Sequence, residues 1–183
     1  MKLLERRHIF LMGFMATGKS KIGPILAERL GRKFIDTDDL IVQAAGQTIP
    51  DLFDQDGEAA FRVFEHECVA KAATGEDAVI ALGGGAVTQE DNWVTIRETG
   101  LCVCLQASAE TIFERVSRNA ERPLLVGLTD EERMGKIRSM LEERGKYYRR
   151  ADVFITSSES ATPEETADLA LQKFEAFSRK ESM

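Results

Sequence analysis

Short unbroken apolar runs alternate along this chain with longer stretches in which apolar residues return every three or four positions. The runs His8 to Met12, Lys33 to Ile35, Ala78 to Leu82, Leu101 to Leu105 and Asp152 to Thr156 predict strands. Their hydrophobicity is continuous rather than alternating, which is the pattern of a parallel sheet covered on both faces. Between them the helical period is clear: Ile22, Ile25, Leu26 and Leu30 share one face, as do Ala167, Ala170, Leu171, Phe174 and Phe177. The second of these helices is predicted to start at Thr162 as N-cap, with Pro163 in the first turn and Glu165 closing a capping box. Strands joined by helices in this way predict right-handed crossovers and a three-layer α/β fold, a five-stranded parallel sheet flanked by helices, with ligands gathering at its carboxyl edge.

Length and composition narrow the class. With 183 residues, 43% hydrophobic and 30% charged, the expectation is one domain spanning 1–183. No apolar stretch approaches the roughly 18 residues of a membrane span. The net charge of −7 disfavours nucleic acid or an anionic membrane as partner. A monomer acting on a small molecule is a separate expectation. Met1, Lys2, Arg6 and Arg7 before an apolar run faintly mimic a signal peptide. Cleavage there would remove the glycine-rich motif that follows, so a cytoplasmic address is expected. Cys68, Cys102 and Cys104 form no CxxC pair and read as small buried hydrophobes in a reducing compartment. Two histidines, His8 and His66, make a zinc site a poor expectation. Segments 46–57 and 117–129 read as irregular and mobile, and the tail after Phe177 as frayed.

Behind the first run comes GFMATGKSKIG, from Gly13 to Gly23. The spacing G-x-x-x-x-G-K-S between a strand and a helix predicts a phosphate cradle. Backbone N–H groups from Met15 to Ser20 would face the concavity, aided by the helix N-terminus, while Gly13 and Gly18 permit the backbone angles. Lys19 would reach the β- and γ-phosphates, and the Ser20 hydroxyl would ligate Mg²⁺. A GTPase would add N-K-x-D, which is absent. Asp54 to Gly57 matches D-x-x-G in letters, but TIPDLF before it reads as a helix entry.

Three further stretches describe an acceptor. FIDTDD places Asp36 and Asp38 on one side of an extended chain at the phosphate edge. One carboxylate would hold Mg²⁺ through water, the other would take a hydrogen bond from an acceptor hydroxyl, and Asp39 would cap the next helix. FRVFEHE sets Arg62 and Glu65 one turn apart, a fork for a carboxylate or a phosphate. LGGGAV ends the third strand with Gly83, Gly84 and Gly85, where missing side chains let a small ligand lie against backbone.

Together, G-F-M-x-x-G-K-S, F-x-D-x-D, F-R-x-x-E, G-G-G-A-V, R-P-L-L and a late R-x-x-x-Y resemble shikimate kinase, with matches from Gly13 to Tyr148. The resemblance implies a P-loop fold with a helical substrate-binding segment at about 36–64 and a lid at about 117–129. It implies ATP-dependent phosphorylation of the shikimate 3-hydroxyl, in aromatic amino-acid biosynthesis, with ATP and Mg²⁺. The implied nucleotide contacts are Gly13, Ala16, Thr17, Gly18, Lys19, Ser20 and Lys21, with Arg115 at the adenine. Asp36 would sit with Ser20 near the metal. Asp38 would bind and activate the acceptor, Arg62 and Arg144 would grip its carboxylate, and Gly83 to Gly85 would line its ring. Arg122 would swing in with the lid, completing a catalytic set of Lys19, Asp38 and Arg122.

Three positions depart from the family pattern. Ala16 stands where glycine is frequent, Lys21 where Thr or Ser is frequent, and RGKYY lacks a proline before the tyrosine. The last leaves Arg149 and Arg150 as alternatives to Arg144. Gluconate kinases and nucleoside-monophosphate kinases are the nearest rival readings. A silent kinase-like module would have lost some of Lys19, Ser20, Asp36, Asp38 and Arg122, and all are present.

Overall fold

Every residue of β1 (His8–Met12) is buried, and a strand packed on both faces belongs in the middle of a sheet. The computed structural model, which describes residues 8–118, 125, 127–158 and 160–181, places it there. β1 pairs in parallel with β3 (Ala78–Ala81) on one side and β4 (Gly100–Gln106) on the other. β2 (Lys33–Asp36) and β5 (Val153–Thr156) complete the parallel order β2-β3-β1-β4-β5. The chain is therefore the expected three-layer α/β structure, and the predicted strands hold to within a residue at either end.

Alternate side chains of the strands feed two cores. Ile9, Leu11, Val79, Leu101, Val103, Leu105, Val153 and Ile155 pack against α1 (Lys19–Leu30) and α7 (Pro163–Glu181). Phe10, Met12, Ile80, Cys102 and Cys104 face the other layer, built from α3 (Ile49–Thr74), α4 (Glu90–Thr99), α5 (Ala109–Ser117) and α6 (Asp130–Tyr148). A third cluster, Ile41, Leu52, Phe61 and Cys68, joins α2 (Thr37–Ala45) to α3 beside the sheet edge. On α4, Trp93, the single tryptophan of the chain, has two guanidinium groups over its ring, Arg97 at 5.8 Å and Arg150 at 4.1 Å from the centroid. Arg97 also binds both oxygens of Asp152, which accepts from the Cys102 amide and so fixes the β4–β5 edge.

Local expectations fare unevenly. The Thr162–Glu165 capping box is present, and Thr48 caps α3 as TIPDLF suggests. Residues 46–57 are not irregular: Gly46 terminates α2, and helix resumes at Ile49 with a kink at Gly57. Helix α7 also continues past Phe177 to Glu181. Cys68, Cys102 and Cys104 are free thiols, all buried. Among the described residues no helix is long and apolar enough to cross a membrane.

Candidate functional site

Because all strands run the same way, the segments leaving β1, β2, β3 and β5 and the start of helix α5 after β4 crowd one edge. At that edge lies a cavity of about 600 Å³. The loop after β1 forms one wall. A Cβ on Gly13, whose φ is 136°, would sit 2.2 Å from the Leu105 carbonyl oxygen, so only glycine lets the chain leave β1 here. Thr17 is buried and donates to the Phe14 carbonyl at 2.8 Å, tying the loop to itself. Gly18, in the left-handed region, opens α1. The Lys19 ammonium donates to the Gly13 and Phe14 carbonyls at 2.9 and 3.0 Å, held across the mouth of a helix N-terminus suited to anions.

The Ser20 hydroxyl donates to Asp36 Oδ2 at 2.7 Å. The other Asp36 oxygen accepts from the Asp38 amide at 3.0 Å, which makes Asp36 the N-cap of α2. Two expectations are corrected here. Asp39 is not the cap, and Asp38 does not share an extended chain with Asp36, because α2 begins at Thr37 and turns Asp38 into its first turn. The cap uses the aspartate that can accept an amide two residues on. Both carboxylates still line the same cavity. Hydroxyl and carboxylate oxygens side by side at a phosphate cradle are the hard donors Mg²⁺ takes.

Arg115 projects from α5 into the opposite wall. Its Nη1 donates to the Ala16 carbonyl and the Ser157 hydroxyl, each at 3.0 Å, and its Nη2 to the Ser158 carbonyl at 2.9 Å. Lys19, Lys21, Arg115 and Arg118 thus meet Asp36 and Asp38 around one space, a cationic balance suited to a polyphosphate.

The residues expected to take an acceptor come from α3, the glycine loop and α6, with Asp38 from α2. Glu65 is 1% exposed and takes Arg62 Nη1 at 2.6 Å, while Glu58 holds Nη2 at 2.9 Å. Burial pushes the Glu65 carboxyl upward, and the guanidinium pulls it back. The glycines leave room for this machinery. A Cβ on Gly83 would lie 2.9 Å from Asp38 Oδ1, and one on Gly85 2.8 Å from Arg62 Nη1. On Gly84 it would lie 3.4 Å from Arg144 Nη1. Arg144 also stacks over Phe14, 5.8 Å from the ring centroid.

The structure therefore brings Asp38, Arg62, Gly83, Gly84, Gly85 and Arg144 to one place beside the phosphate loop. Arg150 is engaged elsewhere, bidentate to Glu90, so the missing proline leaves Arg144 at the glycines. Arg122 lies outside the described residues, as does most of the segment expected to form the lid. Three supporting groups have no role in the sequence reading. Thr37 receives the Gly83 amide at 3.1 Å, Ser157 anchors Arg115, and the buried Tyr148 hydroxyl donates to the Gly84 carbonyl at 2.7 Å. Burial pushes that hydroxyl up to about 12, against the pull of Arg144. The R-x-x-x-Y spacing contained Tyr148, but no sequence signal said where its hydroxyl would go.

A family model described as shikimate kinase matches residues 15–175. The shikimate kinase of Thermodesulfovibrio yellowstonii is 38% identical over 172 residues, 94% of this chain and 97% of that protein. That of Symbiobacterium thermophilum is 42% identical over 146 residues, 79% of this chain and 82% of that protein. Among solved structures, shikimate kinase from Acinetobacter baumannii in complex with shikimate superposes with a TM-score of 0.86 at 34% identity, covering 93% of each chain.

Proposed function

The chain belongs to the shikimate kinase family, an ATP-dependent phosphotransferase acting on shikimate, and from that premise we propose how its residues divide the work. The observation that carries the assignment is a convergence at one sheet edge: the phosphate loop with Lys19 and Ser20 shares a cavity with Asp38 and Gly84, and Arg62 and Arg144 stand against the neighbouring glycines Gly85 and Gly84.

The loop from Gly13 to Lys21 takes the ATP phosphates, with Arg115 on the adenine side. Lys19 exchanges its loop carbonyls for the β- and γ-phosphates and offsets charge on the transferring group. Ser20 and Asp36 would hold Mg²⁺, which when bound neutralises and orients the phosphates. A small anionic triol needs a clamp for its carboxylate, an acceptor for a hydroxyl proton and walls without bulk. Arg62, fixed by Glu65, and Arg144 supply the clamp; Asp38 receives the 3-hydroxyl; Gly83, Gly84 and Gly85 are the walls. The family reading assigns the segment about 117–129 as a lid and Arg122 as the cation that meets the γ-phosphoryl group; Arg122 and most of that segment lie outside the described residues.

All of this fits one domain with its substrate-binding segment at about 36–64, working as a cytoplasmic monomer. Buried free thiols suit a reducing compartment.

The test is ADP release with Mg-ATP and shikimate, gluconate or no acceptor, with Lys19→Met as control. Turnover with shikimate alone, lost in the variant, is expected. Turnover with gluconate instead, or equal ATP hydrolysis under all three conditions, would overturn the acceptor assignment.

A further inference from the structure

Among the described residues Ala16 is the one non-glycine with a positive φ, 60°. A Cβ makes that left-handed conformation unfavourable, and Ala16 lies within the phosphate loop, between Gly13 and Gly18. Something must hold it. Its carbonyl accepts from Arg115 Nη1 at 3.0 Å, and the same guanidinium is anchored on the β5–α7 connection through Ser157 Oγ and the Ser158 carbonyl.

We propose that Arg115 is a positioning residue for the phosphate loop: its fork, braced on Ser157 and Ser158, holds the Ala16 carbonyl and so keeps Ala16 in the conformation the cradle requires. A glycine at this position would adopt that conformation without help. The arrangement couples Ala16 to an arginine 99 residues further along the chain. Lysine cannot substitute, because one ammonium on a flexible stem lacks the planar fork that serves three acceptors in fixed directions. The inference rests on the reading of this cavity as a polyphosphate site. It is independent of any contact between Arg115 and a nucleotide base.

Inorganic tripolyphosphate has no base, and calorimetric titration of it into wild type, Arg115→Lys, Ala16→Gly and the double variant separates the roles. Arg115→Lys keeps the charge and is expected to weaken tripolyphosphate about five- to tenfold, and by less than about twofold once Ala16→Gly is present. Equal weakening in both backgrounds would overturn the proposal, because lost packing or field is not rescued by a glycine. So would a parallel titration of ADP in which Arg115→Lys weakens ADP while leaving tripolyphosphate unchanged, which marks a base contact. Should Arg115→Lys fail to fold, Ser157→Ala removes one brace of the same fork and is compared in the same two backgrounds. Failure of the kinase reading appears separately, as wild type that releases no shikimate-dependent ADP.

Discussion

Tyr148 donates its hydroxyl to the Gly84 carbonyl at 2.7 Å, across 64 residues of chain. Gly84 is the middle of three glycines whose missing side chains make room for Asp38, Arg144 and Arg62. One buried phenol therefore fixes the backbone against which three charged groups are set. Its other neighbour is Arg144, four residues earlier on α6, so a single side chain braces both the wall and one arm of the proposed carboxylate clamp.

Tyr148→Phe keeps the ring and removes the hydroxyl. Steady-state kinetics are expected to show KM for shikimate raised about three- to tenfold, the effect of one buried hydrogen bond, with KM for ATP unchanged. An equal rise in both constants would assign Tyr148 to general stability instead.

The same hydroxyl gives a pH signature. Its pKa is 10.0 when exposed and about 12 in place, so the folded state holds the proton more tightly than the unfolded one. The stabilisation is complete below pH 10 and is lost as pH rises through about 12, a change on the order of 3 kcal/mol. Denaturant titrations across that window should show wild type losing stability faster than Tyr148→Phe.

Gly85→Ala places a methyl group 2.8 Å from Arg62 Nη1 and 3.0 Å from Nη2. Glu65 and Glu58 tether the fork, so making room for the methyl moves the guanidinium against its own ion pairs. The expected result is at least about a tenfold rise in KM for shikimate with nucleotide affinity intact, read by parallel titrations of the two substrates.

Asp38→Asn separates activation of the hydroxyl from positioning. A fall in kcat of about a hundredfold with a small change in KM is expected if the carboxylate takes the proton. A loss confined to KM would leave it a positioning group, as a loose phosphoryl-transfer transition state permits.

The strands and the phosphate loop were legible because each is a local pattern: a buried run, or a strand, glycine, lysine and serine in order. Even Arg62 with Glu65 is local, one helical turn. What the sequence could not show is contact between distant segments. Nothing in FIDTDD says that a helix starts at Thr37 rather than beyond Asp39, since either aspartate can cap. The Thr37–Gly83, Tyr148–Gly84 and Arg115–Ala16 bonds each join segments that meet only once the strand order is known. The same holds for Arg150: its spacing offers it as a substitute for Arg144, and only packing against Trp93 and Glu90 commits it elsewhere.

Trp93 has a consequence for experiment. It is the sole indole in the chain, it lies beneath two guanidinium groups, and its amide donates to Gln89, one residue past the 3-10 turn over Ala86–Thr88. Its neighbour Asn92 reaches back to the Ala86 carbonyl, directly behind the triple glycine. The protein thus carries its own fluorophore one short turn from the proposed acceptor pocket, and ultraviolet emission from an unlabelled sample is expected to change as shikimate is added.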